Sequence, residues 1–317
     1  MSEFLTTDFL TALIAGGILA GVPLMFAALG EMVSERAGVL NIGLEGMMLV
    51  GAYVGFVAAY HSGSTTLGFL AGAGGGAAVS VIMVVLCVWL GLDQIVIGIA
   101  ITLVGEGATA LIFDSQFAES RPTLGDTGRV SIPLLSDIPV VGGHDTSDGS
   151  VFSQPAIVYI GLILIVVVAW MMRRTHLGLN VRAAGDRPAA LDAAGVSVRA
   201  TRGWAVLFAG AMAGVGGAFL SVTAAGLFED FITGGRGFIA IVLAMLARGK
   251  AMWVLIGAFI FGISLSLSDA LQIAGVDIST DVVFTLPFVA VIVVLVIFGR
   301  RSYLPPALGL PYVRGAR

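Results

Sequence analysis

Asn41 and Glu45 stand four residues apart in the run Gly38-Val-Leu-Asn-Ile-Gly-Leu-Glu-Gly-Met-Met48, at the start of a long apolar segment. Lipid offers an amide or a carboxylate no water, so such groups at membrane depth face a cavity or another polar group. The glycines between them let a helix break or let a second backbone come close. At helical spacing both side chains share one face, which suits a pair directed at a translocation path or its gate. The same residues also read as a plain helix start, with Asn41 as N-cap and Glu45 in the first turn. Spacing alone does not separate these readings. Glu106, between Gly105 and Gly107 in another apolar run, is either a group lining the path or a protonated structural acid. Phe26 and Met47 supply soft apolar surface near Asn41, as wall or as core packing.

Bond-breaking chemistry finds no such set. The apolar runs hold no Ser/His/Asp group, no His-Glu-x-x-His and no carboxylate pair beside a histidine. His61, His144 and His176 fall in connections. Cys87 is the single cysteine, which excludes a disulfide framework and a Cys/His metal cluster. Neither catalytic residues nor a metal or cofactor are expected in this chain.

The elements that position these groups follow from composition. Hydrophobic residues form 58% of the chain and charged ones 11%, where a soluble domain carries about 25% charge. Mean hydropathy is +1.03. The expected fold is an all-α polytopic membrane protein, one transmembrane domain over 1–317. Windows long enough to span a bilayer occur at 9–29, 44–60, 67–90, 95–113, 155–172, 204–225, 252–271 and 282–298. A shorter run, 238–247, is a short or broken span, giving about 8–10 transmembrane helices. The first window is preceded by acids and no Lys or Arg, so it reads as a retained helix rather than a signal peptide. Gly210 and Gly214 form a G-x-x-x-G pair, a signature of close helix contact. A net charge of −4 gives no reason to expect nucleic acid.

Charge orients the bundle. The connection 173–203 carries Arg173, Arg174, Arg182, Arg187, Arg199 and Arg202 against two acids. The connection 114–154 carries six acids against Arg121 and Arg129. The excess of arginine places 173–203 and the C-terminus in the cytoplasm and 114–154 outside. Glu229, Asp230 and Arg236 then form an external charged patch, a contact for another protein or simply a solvated one. Within 173–203, the run Asp186-Arg-Pro-Ala-Ala-Leu-Asp-Ala-Ala-Gly195 predicts a short helix. Asp186 suits its N-cap, Pro188 its first turn and Gly195 its stop. A helix delimited so sharply in a cytoplasmic connection suits docking by a second protein, the alternative being a solvated linker. No G-x-x-x-x-G-K-[ST] occurs, so the chain has no ordinary phosphate-cradling loop of its own.

The run from Ser34-Glu-Arg through Asn41-Ile-Gly-Leu-Glu-Gly46, the 178–196 connection and Gly234-Gly-Arg-Gly-Phe-Ile-Ala240 together resemble permease subunits of the ABC importers for branched-chain amino acids, simple sugars and nucleosides. Leu310-Pro-Tyr312 matches a terminal pattern in scattered form, and Val242–Lys250 is bulkier and more basic than the small-residue stretch of that family. The resemblance is nearest to nucleoside-importer permeases. It implies a type II-like importer permease in the inner membrane that works as a dimer, its second subunit identical or a paralogue. It further implies a separate ATPase that binds ATP and Mg, and an external substrate-binding protein. On this reading Arg182, Asp186, Arg187, Pro188, Ala190, Leu191 and Gly195 meet the ATPase. Glu229, Asp230 and Arg236 meet the binding protein. Asn41, Glu45, Phe26, Met47 and Glu106 belong to the path. The competing readings are a simple-sugar permease of the same kind and an ion-coupled secondary transporter using Glu45 and Glu106.

Overall fold

A computed structural model describes residues 7–125, 127–131, 153–273 and 304–314, with 285, 289, 292, 293 and 296. Asp126, Asp137, Asp145, Asp148 and His144, and the apolar window 282–298 as a span, lie outside the described residues. The chain is a bundle of long helices. Among the described residues, six helices are long and apolar enough to cross a membrane, as in a multi-pass membrane protein.

Helix α1 runs Thr7–Ala37. It continues past the expected window through Glu31, Ser34, Glu35 and Arg36, because a hydropathy window stops at polar residues whether or not they are buried. Helix α2 is Leu44–Ser62, α3 is Thr65–Met83 and α4 is Gln94–Gln116. Helix α5 is Ala156–Arg174. At the Arg-rich end lie α6, His176–Asp186, and α7, Pro188–Ala193. Helix α8 is Val198–Ala218. Helices α3 and α8 each unwind into one π-helical stretch, Val84–Trp89 and Phe219–Ala224. Helix α9 is Arg236–Ala247 and α10 is Ala251–Ile273. Strands β1, Arg129–Ser131, and β2, Ser153–Pro155, pair antiparallel. This small ribbon lies in the acidic connection, for which the sequence predicts an external loop.

Starts of helices follow local chemistry. Side chains of Ser64, Asp93, Thr175 and Ser197 each accept a backbone N–H from the first turn of the next helix, satisfying donors that lack intrahelical partners. Asp93, the cap of α4, accepts from both Ile95 and Val96 N–H.

At the centre α1, α2, α3 and α8 pack closely. Gly214 of α8 lies against Gly51 of α2 and Gly72 of α3, where any Cβ would strike backbone. Contacts of this kind hold helices together in lipid by dispersion, since lipid tails are as apolar as the helix surfaces themselves. Leu103, Val104 and Leu111 of α4, and Ile163 and Val166 of α5, point outward. These are faces for lipid or for another membrane helix.

Candidate functional site

The chain turns at Gly38, whose φ of 92° is a conformation glycine adopts without strain. Residues 39–43 then run without regular helix back into the bundle. Gly46, in the first turn of α2, abuts Ile101 and Thr102, and Gly105 abuts Gly46. The helix thus starts well inside α4, not at its Gln94 end. Non-helical backbone in such a place must find partners inside the protein. It does so through buried side chains. Ser34 Oγ donates to the Val39 carbonyl at 2.9 Å, and Gln94 Oε1 accepts from Leu40 N–H at 2.8 Å. Glu31 Oε1 accepts from Asn41 N–H at 2.9 Å. Asn41 Nδ2 donates to Met47 Sδ at 3.2 Å.

Asn41 therefore lies in the broken segment. It does not share a helical face with Glu45, and it is not the N-cap of α2, a position held by Gly43.

Glu45 reaches a different helix. Its carboxylate accepts from Thr233 Oγ1, from Gly235 N–H at 2.8 Å and from Gly237 N–H. Thr233 and Gly235 precede α9 and Gly237 is in its first turn. Gly234 and Gly235 hold positive φ of 53° and 80° there. An anion in this position satisfies unpaired N–H groups and faces the positive end of the helix dipole. With 12 residues, α9 extends about 18 Å, too short to cross a bilayer alone. Gly249, past its far end, lies on Arg36. Thus α9 is a half-helix that begins at Glu45 inside the bundle and ends at the Arg-rich end. The Asn-Ile-Gly-Leu-Glu-Gly and Gly-Gly-Arg-Gly motifs, separate in the sequence, form one site. Gly237 is required for it: a Cβ there would collide with the backbone and carboxylate of Glu45.

Asn41, Glu45, Phe26 and Met47 are all buried within this one chain, whereas Glu106 is half-buried on α4. Glu31 and Glu35, one turn apart on α1, are buried too. Glu31 Oε2, Glu35 Oε1 and Asn41 Oδ1 have no hydrogen-bond partner among the described residues. Sequence reasoning passed over Glu31 and Glu35 because they follow the apolar window of α1. Their i, i+4 spacing on a continued helix was the available signal.

At the other end of α2 an aromatic cluster gathers Phe56, Phe113 and Phe228, with ring centroids of Phe113 and Phe228 4.9 Å apart. Tyr53 donates its hydroxyl to Gln116 Oε1 at 2.6 Å. The cluster anchors the segment before α9, on which Glu229 and Asp230 are exposed. Arg236 turns instead to its own turn, donating to the carbonyls of Ile232 and Thr233.

At the Arg-rich end two helices replace the single one expected. Asp186 closes α6, and Arg187 occupies the N-cap position of α7, with Pro188 at its start as expected. Asp186 is paired with Arg36 at 3.7 Å, since its carboxylate serves α1 and not the cap. Gly195 takes a φ of 83° as the chain leaves α7. Ala190 and Arg187 are exposed, Arg182 is half-buried with Nε on the Gly178 carbonyl, and Leu191 is buried with Ala184 and Val198.

Arg202, counted in the sequence as a loop cation, is 3% exposed. Its Nε donates to the Ala37 carbonyl at 3.1 Å, Nη1 to Leu310 at 2.7 Å, and Nη2 to Ala184 at 3.2 Å and Ala307 at 3.4 Å. One guanidinium fork thereby joins the ends of α1 and α6 to the C-terminal segment.

Known proteins are similar to this chain over most of its length. A putative glucose ABC transporter permease of Haloferax volcanii is 36% identical over 86% of this chain and 80% of its own. A guanosine ABC transporter permease of Bacillus subtilis is 31% identical over 98% of this chain and 99% of its own. A nucleoside ABC transporter permease of Lactococcus lactis is 30% identical over 96% and 98%. No solved structure matches. The family described as branched-chain amino acid transport system / permease component matches residues 13–297. With its apolar helices broken at Glu45 and its arginine-held end, the chain belongs to that family of ABC transporter permeases.

Proposed function

We propose that this chain is the membrane-spanning subunit of an ATP-driven importer for nucleosides. It pairs with a second permease, identical or paralogous, to enclose the path. A separate ATPase, which binds ATP and Mg, docks on the Arg-rich end through α7, and that end together with residues 304–314 faces the cytoplasm. The acidic connection 114–154 faces outside, where a substrate-binding protein delivers solute near Glu229 and Asp230. The observation that carries the reading is the meeting of α2 and α9 at Glu45. Discontinuous helices whose ends meet within a bundle are where transporters place their substrate paths.

Asn41, Glu45, Phe26 and Met47 shape the wall of the path from behind in this reading, since each is buried in its own chain. Glu106, half-buried, is the acid nearest to lining it. A wall with few polar points does not hold solute tightly, and affinity can reside in the delivering protein.

For the solute, the guanosine and nucleoside permeases cover nearly the whole chain. A simple sugar is the second reading, supported by the glucose permease at 36% identity. Uptake of labelled guanosine, adenosine and uridine by the reconstituted complex tests both, with glucose and ribose as competitors. Nucleosides are expected to compete with one another and sugars not to. Full block by glucose with none by nucleosides would overturn the nucleoside assignment and leave the permease.

A further inference from the structure

This inference rests on the reading of α7 as the ATPase docking element. The C-terminal segment 304–314 lies on the same support as that helix. Ala307 N–H donates to the Gly185 carbonyl at 3.0 Å and Gly309 N–H to the Gly38 carbonyl at 3.2 Å. Tyr312 packs on the small cluster of Ala184, Leu191 and Val198 that lies beneath α7. Arg314 Nε meets Asp192 Oδ2, on α7 itself, at 3.0 Å. Arg202 holds the carbonyls of Ala307 and Leu310.

The segment is thus fastened at several points, yet its outer side is apolar. Leu310 and Val313 are each 58% exposed, and Pro311 between them is exposed. With this end facing the cytoplasm as proposed, exposed apolar side chains on a fastened segment call for a cover. Between residues 195–199 and Tyr312 with Arg314 lies a cleft of about 350 Å³. Arg199 and Arg314 bring two positive charges to it and Asp192 one negative. Arg314 is already paired with Asp192, and Arg199 is exposed with no acid within ion-pair distance among the described residues. Asp192 and Gly195 border both this cleft and the exposed alanines of α7, so a protein that covers α7 also meets the C-terminal segment.

We propose that residues 304–314 form the second half of the ATPase docking surface. The ATPase covers Ala190 and Val313 together, places apolar side chains against Leu310 and Val313, and directs a carboxylate into the cleft toward Arg199.

The complex of permease and ATPase, purified in detergent, tests this with four variants. Val313→Asp and Arg199→Glu are each expected to weaken ATPase retention about tenfold, the effect of removing one good interface contact. Arg199→Lys should retain most of it. Ala190→Trp serves as the comparator on α7. If Ala190→Trp releases the ATPase while Val313→Asp and Arg199→Glu keep it fully, the C-terminal segment lies outside the interface and the proposal fails alone. If Ala190→Trp also keeps it, the docking reading of α7 fails with it. A photo-crosslinking residue, p-benzoylphenylalanine at position 313, decides the matter even where a charge variant does not fold. Crosslinks to the ATPase support the proposal. Crosslinks only to lipid or to a second permease copy overturn it.

Discussion

A carboxylate buried in a membrane bundle needs donors, and Glu45 takes its donors from one helix end. Glu45→Gln replaces an acceptor oxygen by an NH2 group facing backbone N–H, which cannot accept. The loss of one charge-assisted bond is worth about 1.5–3 kcal/mol. The variant is expected to unfold at lower temperature and to import poorly, while the external protein binds solute normally. Unchanged melting with full uptake would show that the contact is dispensable. Glu31 behaves differently. One of its oxygens serves Asn41 N–H, and the other has no partner among the described residues. Glu31→Gln keeps the acceptor and adds donors where acceptors are in excess, so it should melt near wild type. Glu31→Leu orphans the Asn41 N–H and should cost about 1–3 kcal/mol, read as a lowered midpoint in thermal unfolding. Equal midpoints for the two variants would show that the Asn41 bond is unimportant. Glu45 was legible as a residue needing partners because a carboxylate among glycines stands out in an apolar run. Glu31 was not, because nothing local says that residues 38–43 turn back and need its oxygen.

Composition made the long helices legible: windows at 44–60, 95–113 and 155–172 became α2, α4 and α5 with ends shifted by a few residues. The short run 238–247 was ambiguous because its length says only that it cannot cross alone. What makes it a half-helix is a contact spanning 188 residues of sequence, Thr233 to Glu45, and periodicity carries no information about such a partner. Gly237→Ala probes this element. Its Cβ would press on Glu45 backbone, so α9 must shift away from α2 and release the carboxylate. Transport is expected to fall at least as far as in Glu45→Gln, and the double variant should be no worse than Gly237→Ala, since neighbours that share one interaction are not additive. Additive losses would mean the two residues act separately. Likewise Gly214→Val should separate α8 from α2 and α3, seen as lost protein in the membrane fraction. Normal expression would argue against close packing there.

At the scale of the whole molecule, buried Glu45 and buried Arg202 are matched by helix ends in opposite senses. Glu45 meets the N-terminus of α9, and Arg202 meets carbonyls at the C-terminal ends of α1 and α6, each opposite in sign to the dipole end it faces. No acid is needed beside Arg202, because four carbonyls from separate segments accept its donors. Composition and charge pattern sufficed to class 173–203 as an Arg-rich connection, but they counted Arg202 as one cation among six. Its role depends on where residues 304–314 return, which a sequence pattern does not state. Arg202→Lys tests the arrangement with charge conserved. An ammonium has three donors on a flexible stem and cannot hold the geometry of a planar fork. Loss of one or two charge-assisted bonds, about 1.5–3 kcal/mol each, should loosen both α6 and the C-terminal segment. Hydrogen exchange at Ala307 and Gly309, whose N–H groups bond Gly185 and Gly38, is expected to speed up by about tenfold or more, one factor of ten per 1.4 kcal/mol. Exchange in the middle of α2 should stay slow. If the Arg202→Lys variant leaves the exchange of the C-terminal segment unchanged, Tyr312 packing and the backbone bonds hold that segment without the arginine, and the joint between α1, α6 and the chain end lies elsewhere.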